Sequence, residues 1–284
     1  MLANLDNEVH FKKVFTDVEV FKAFVKDVLG LDMHITKVET EKVILPKVSA
    51  IKFRMDLFAE DTDNRTVVEI QKVDYDYSID RFTHYFIGNL IDMQRSSRAY
   101  AFAKDVYIIV VVTAAYRISD KNGKPIKDDV LITDVNPRTL NGELRDMYNH
   151  KMVILNTTHV TDDTPPEIRD WLDLIIQSMQ HPENPKINKL KPAIVKAAQL
   201  AELDNIDPEQ LAEAKIQEMR KEMVAIIEDS ARNESRIETE KKVKNESIVK
   251  ALKRGKLTIT EIAEDFDVSI EYVGQIAKDN LLET

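Results

Sequence analysis

Asp56, Glu69 and Gln71 stand in two apolar runs, FRMDLFAE and TVVEIQ, where uncharged side chains are expected. The runs flank DTDNR, whose Asp and Asn residues suit a turn, so the segment reads as a β-hairpin. Side chains two apart share a face of a strand. Glu69 and Gln71 therefore point one way, and Lys72 the other way with Val68 and Ile70. On the preceding strand Arg54, Asp56 and Phe58 share a face. A hairpin brings Asp56 opposite Glu69 or one pair removed. Two carboxylates so placed repel unless a proton or cation lies between them. Hard oxygen ligands completed by water suit Mg2+ or Mn2+. Such an ion polarises a phosphodiester and acidifies a bound water, which is the chemistry of metal-assisted phosphodiester hydrolysis. On spacing alone the same acids also fit the solvated face of an ordinary hairpin. Against that, Phe53, Met55, Leu57 and Phe58 surround Asp56, and covered acids take partners.

The flanking patterns supply the scaffold. TDVEVFKAFVKDVLG carries Thr16 three residues before Glu19, a capping-box spacing, and Gly30 where a helix ends. Phe21, Phe24, Val25 and Val28 give it one apolar face. A shorter helix precedes it, with Val9, Val14 and Phe15 inward. KVILPKV, AIKFRMDLFAE and TVVEIQKV read as strands, and SIDRFTHYFIGNLIDMQR returns to a helical period through Phe82, Tyr85, Phe86, Leu90 and Met93. DVYIIVVVTA is the continuous β-branched run of a strand covered on both faces. PPEIRDWLDLIIQSM is a later helix, packed through Trp171, Leu172, Ile175 and Ile176. Strands interleaved with helices predict an α/β sheet domain.

Composition narrows the function classes. The chain has 284 residues and no cysteine, which excludes thiol catalysis and disulfide scaffolds and suits a reducing, cytoplasmic setting. Its longest apolar run, VYIIVVVTAA, is about half a bilayer span, and no signal-peptide pattern opens the chain. A formal charge of −10 speaks mildly against a tight nucleic-acid binder. No HExxH, GxGxxG, P-loop or GxSxG occurs, which argues against zinc, nucleotide-fold and serine chemistry. His84, close to Arg81 and Tyr85 in sequence, reads as structural or exposed.

FKKVFTDVEVFKAFVKDVLG, RMDLFAEDTDNRTVVEIQ, IDRFTHYFIGNL and YIIVVVT follow one another over residues 5–180. In this the chain resembles the recombination-promoting nuclease/putative transposase family of the PD-(D/E)xK nuclease superfamily. The strongest element is Asp56, then Glu69-x-Gln71, then Arg81 and Tyr85 one helical turn apart. The resemblance implies a restriction-endonuclease-like mixed sheet flanked by helices and a DNA endonuclease linked to recombination or mobile DNA. It further implies that Asp56 and Glu69 ligate Mg2+ or Mn2+, with Gln71, Arg81 and Tyr85 completing the catalytic set. Gln71 stands where the wider superfamily has lysine. A lysine would stabilise the attacking hydroxide and the pentavalent phosphate, whereas glutamine orients water without bringing charge. Arg81 is the candidate for that charge, with a surface or ion-pairing role as its alternative. The superfamily often adds an acid from the first helix, here Asp6 or Glu8. The spacing to Phe11-Lys12 favours Glu8 as a third metal ligand, although helix starts hold acids for dipole reasons too. Lys12 and Lys13 either contact phosphates or are merely solvated.

After QHPENPKINKLKP, read as a linker or elbow, the chain becomes charged and helix-forming. Ile216, Met219, Met223 and Ile226 keep a 3–4 spacing until Ser230 and Asn233 break the seam. The expected division is a nuclease-like domain at 1–185, a helical arm at 186–245 and a small module at 246–284. In that module TITEIAEDFDVSIEYVGQIAKDN resembles a helix–turn–helix. Thr258 and Ser269 sit at its N-caps, and Asp267 takes the turn position where glycine is usual. Its second helix is hardly basic, whereas Lys250, Lys253, Arg254 and Lys256 just upstream are suited to phosphates. DNA is the expected partner, with no membrane role, and the arm is a candidate for homodimer formation. Two rival classes stay open: a DNA-binding protein with the same fold and little or no catalysis, and an assembly protein using the arm.

Overall fold

The computed structural model describes residues 1–44, 53–71, 79–93, 101–114 and 119–280. Residues 45–48, 50–52 and 72–73, read as strand from the sequence, and residues 78 and 94–95 of the helix read after them lie outside this set. Two compact units are present, Met1–Lys215 and Ile216–Thr284.

The first unit opens with α1 (Glu8–Phe15) and α2 (Val18–Leu29). Asn7 caps α1 through a side-chain oxygen that accepts from the Val9 amide. Asp17, not Thr16, caps α2, accepting from the amides of Glu19 and Val20 at 3.0 and 3.1 Å. The Thr16 hydroxyl instead donates back to the Lys12 carbonyl at 2.7 Å, closing α1. With only two residues, Thr16 and Asp17, between the helices, Thr16 belongs to the end of the first and the Asp17 carboxylate is left to start the second. Gly30 ends α2 in the left-handed region at φ 73, as its position in the sequence predicts.

Six strands follow: β1 (Glu39–Ile44), β2 (Phe53–Glu60), β3 (Asn64–Gln71), β4 (Asp105–Val112), β5 (Val130–Asp134) and β6 (Lys151–Asn156). They form one mixed sheet in the order β1-β2-β3-β4-β6-β5. The first three are antiparallel neighbours, β4 runs parallel to both β3 and β6, and β5 closes the far edge antiparallel to β6. β4 is central and buried along almost its whole length, as its β-branched run requires. The chain is therefore an α/β protein with a mixed sheet flanked by helices.

One face of the sheet is covered by α1, α2, α4 (Pro166–Gln180) and α5 (Pro192–Leu200). Their Phe15, Phe24, Trp171 and Ile194 meet Leu57, Val68, Ile109 and Leu155 of the strands. The other face carries α3 (Asp80–Asp92), whose Phe82, Tyr85 and Phe86 meet Val67, Ile108 and Val110. α5 falls in the stretch that composition marks as linker and arm, yet Ile194, Ala197 and Ala201 are fully buried in the main core. Lys191 at its start pairs with Asp27 of α2 at 2.8 Å and with Asp170 of α4 at 3.3 Å. Trp171 Nε1 donates to that same Asp27 at 2.6 Å.

α6 (Pro208–Arg254) is one uninterrupted helix that begins in the first unit and ends in the second. Ile216, Met219 and Met223 are exposed on it. In the second unit the end of α6 packs with α7 (Ile259–Asp265) and α8 (Ile270–Asp279) around Ile248, Ile262, Val273 and Ile276. The capping box Thr258–Glu261 and the Ser269 cap form as the sequence predicts. Asp267 adopts φ 46 in the turn, and Lys244 Nζ donates to its carbonyl at 3.3 Å. Among the described residues no helix is long and apolar enough to cross a membrane.

Packing of α5 into the core has a measurable consequence. Ile194→Ala should lower unfolding free energy by about 3 kcal/mol in a urea titration, as for a buried large-to-small change. A loss within about 0.5 kcal/mol, the range for surface positions, would contradict its place in the core.

Candidate functional site

The site is built where β2 and β3 part. Their ladder pairs Glu60 with Arg65 and runs to Leu57 with Val68, and the paired register stops there. On their outer sides both strands stay paired further, β2 with β1 to Phe53 and β3 with β4 to Gln71. In the gap the carboxylates replace the backbone ladder. Glu69 Oε1 accepts from the Asp56 amide at 3.1 Å, and Asp56 Oδ2 accepts from the Ile70 amide at 3.1 Å. Each acid thus satisfies an amide of the opposite strand that would otherwise be orphaned.

The expected alternation on β2 breaks at this point. Leu57 and Ala59 face the α1 layer, but Met55 joins Phe58 against α3, and Arg54 is exposed. Arg54, Asp56 and Phe58 therefore do not form the single face expected of a regular strand. The partner strand is irregular at the same level, since Glu41 lies at φ 55, a left-handed conformation uncommon outside glycine. A local twist of this kind re-aims one side chain, and here it leaves Asp56 reaching toward α1.

On the α1 side, Lys12 Nζ lies 3.2 Å from Asp56 Oδ1 and also pairs with Glu8 and Glu41. Glu8, Glu41 and Asp56 each present one oxygen within 4.8 Å of the others. On the α3 side, Arg81 donates through one terminal nitrogen to Gln71 Oε1 at 3.0 Å. Through Nε and its other terminal nitrogen it donates to the Tyr85 hydroxyl at 3.2 and 3.1 Å. The guanidinium also lies 5.5 Å from the Tyr85 ring centre. These contacts fix its direction beside the acid pair while the residue remains exposed to solvent.

The electrostatics follow from burial. Glu69 is 3% exposed, and desolvation together with the nearby Asp56 charge pushes its carboxyl well above the ordinary value, against the pull of Arg81. Burial likewise raises Asp56, opposed by Lys12. For Lys12 burial acts in the lowering direction, but Asp56, Glu41 and Glu8 outweigh it and hold the ammonium above its usual range. The Tyr85 phenol is raised by burial.

Of the residues singled out from the sequence, Asp56 and Glu69 meet directly, and Gln71, Arg81 and Tyr85 form one connected group on the α3 side. Glu8 joins Asp56 across Lys12. Asp6 is buried instead, accepting from the Thr113 hydroxyl. Glu69 sits outside the three carboxylates that converge on one point, held against Asp56 through its amide. His84 is exposed on α3. Sequence reasoning missed Glu41 and gave Lys12 no specific partner. Glu8 and Lys12 lie at i,i+4, which signals a pair on one helix face. Glu41 carried no signal, because its place depends on a backbone irregularity within a strand.

The donor set fits a hard divalent cation. It consists of carboxylate oxygens, as Mg2+ and Mn2+ prefer, and an ammonium already lies at their point of convergence.

The raised proton affinity of Asp56 and Glu69, caused by burial and by their proximity, makes the folded state bind more protons than the unfolded chain. Above the ordinary glutamate value of 4.5, stability should therefore fall as pH rises toward the raised value of the pair. Glu69→Gln removes this dependence. The stability difference between Glu69→Gln and wild type, from urea midpoints across that range, should grow in favour of the variant with rising pH. Parallel curves would show that Glu69 does not carry a raised affinity for protons.

No protein-family model matches this chain, and neither a curated protein nor a solved structure matches it.

Proposed function

We propose that the chain is a Mg2+- or Mn2+-dependent DNA endonuclease with a restriction-endonuclease-like first unit. The observation that carries this reading is the pairing of buried Glu69 with partly buried Asp56 at the parting of β2 and β3, flanked by a lysine on one side and an oriented arginine on the other. Asp56 and Glu8 would hold the ion, joined by Glu41, with Glu69 completing the set from the deeper side. A divalent ion there acidifies a bound water and polarises the phosphate. Gln71 keeps its carbonyl oxygen on Arg81, which leaves its amide NH2 as the group that orients water. Arg81, aimed by Gln71 and Tyr85, would meet a phosphate oxygen with its planar guanidinium. It would thereby bring the charge that Gln71 lacks.

The second unit supports a nucleic-acid substrate. Lys250, Lys253 and Arg254 occupy one exposed face at the end of α6, opposite the buried Ile248, and Lys256 follows Gly255. None of the four makes an ion pair with a described residue. α8 is a poorer candidate for base reading: Glu271 and Asp279 outnumber its one lysine, and Gln275 is bonded to Asp279 at 2.7 Å. The helix–turn–helix-like module would then hold the phosphate backbone without reading sequence.

A second reading is favoured by one observation. Lys12 fills the point where the carboxylates converge, which suits a protein that binds DNA and cleaves it weakly or not at all.

Nicking of supercoiled plasmid with Mg2+ or Mn2+ should fall on the order of 100-fold or more in Asp56→Ala and Glu69→Ala at matched folding. Equal nicking by all three proteins would remove the catalytic assignment. Ca2+-dependent DNA retention with no Mg2+-dependent product would select the binding-only reading. Replacing Lys250, Lys253, Arg254 and Lys256 by alanine should weaken duplex binding and reduce the slope of log Kd against log salt by about 3.5. An unchanged slope would remove the basic face as a phosphate contact.

A further inference from the structure

Lys12 projects from the middle of α1 into the acid cluster, and its side chain is only 13% exposed. Its ammonium lies against Glu8, Glu41 and Asp56, the same three residues whose oxygens approach one another within 4.8 Å. One centre therefore has to serve two kinds of cation. Three carboxylates brought this close repel one another, so something positive must hold them together. Among the described residues the positive charge at that point is the Lys12 ammonium. A divalent ion bound by these acids needs the same space, and with Lys12 and Asp56 largely shielded, two cations side by side there repel more strongly than in bulk water.

We infer that Lys12 is a placeholder cation, a positioning residue that keeps Glu8, Glu41 and Asp56 converged until a divalent ion displaces its ammonium. This rests on the metal-dependent reading above. The device has two opposing consequences. The ligands are already gathered when the ion arrives, so little ordering remains to be done on binding. The ion must also expel the ammonium, and by linkage whatever Lys12 contributes to holding the cluster is subtracted from the apparent ion affinity. A flexible four-carbon stem suits this exchange, because the ammonium can leave while α1 stays packed through Phe11 and Phe15.

The test is Mn2+ binding to the full chain without nucleic acid, followed by loss of the free-ion electron paramagnetic resonance signal. Lys12→Met, similar in length but uncharged, should bind Mn2+ on the order of tenfold more tightly than wild type. Equal or weaker binding by Lys12→Met overturns the inference. Wild-type protein gives an independent readout that needs no folded Lys12→Met. The 15Nζ resonance of Lys12, identified by its absence in Lys12→Arg, should move to the position of a solvent-exposed lysine on saturation with Mg2+. A resonance unchanged at saturation also overturns the placeholder role. If Mn2+ binds wild type and Lys12→Met equally and plasmid nicking persists, the nuclease reading survives and the placeholder does not. If neither protein binds Mn2+, both fall.

Discussion

Backbone hydrogen bonding at the parting of β2 and β3 governs the rest of the site. Both strands remain paired on their outer sides, so neither can drift away, yet between them the amide-to-carbonyl ladder ends at Leu57 and Val68. The orphaned amides of Asp56 and Ile70 are satisfied by Glu69 and Asp56 side chains. An unpaired buried amide is costly, and two carboxylates are suitable acceptors. The solution leaves two acids side by side with little access to water, which raises the affinity of both for protons. It also creates a demand for positive charge that the surrounding elements meet.

That charge arrives from both layers of helices. α1 contributes Lys12 with Glu8 on one face, and α3 contributes Arg81, steered by Tyr85, on the other. The two cations differ in kind. The lysine is a compact charge enclosed by three acids, whereas the arginine is a planar fork held at the solvent boundary by Gln71 and Tyr85. Glu69 and Gln71, two apart on β3, present both acid and amide to the α3 face, so the strand period itself joins the two halves.

The scaffold gains its rigidity from packing that composition alone obscures. α5 follows a proline-rich polar stretch, yet its small and branched residues fill the core beside Trp171. Lys191 and Asp27 tie its start to α2 and α4. α1 is held between this layer and the sheet, which fixes the base of the Lys12 side chain relative to Asp56.

Local periodicity in the sequence was sufficient for the alternation of helices and strands from α1 to β4, the hairpin, the buried central β4, Gly30 as a helix end and the two caps of the last module, but it did not mark β5 or β6. Each of these depends on neighbours within a few residues. Spacings of two on β3 and four on α3 put Glu69 with Gln71 and Arg81 with Tyr85, whereas only the resemblance treated the two pairs as one group. Tertiary structure alone decided where β2 breaks its alternation, that Glu41 turns into the left-handed region beside Asp56, and that Lys12 lies among three acids. It also decided that α5 belongs to the core. These outcomes depend on which segments meet across tens of residues, and the energy of a buried charge depends on those distant partners more than on its neighbours in the chain.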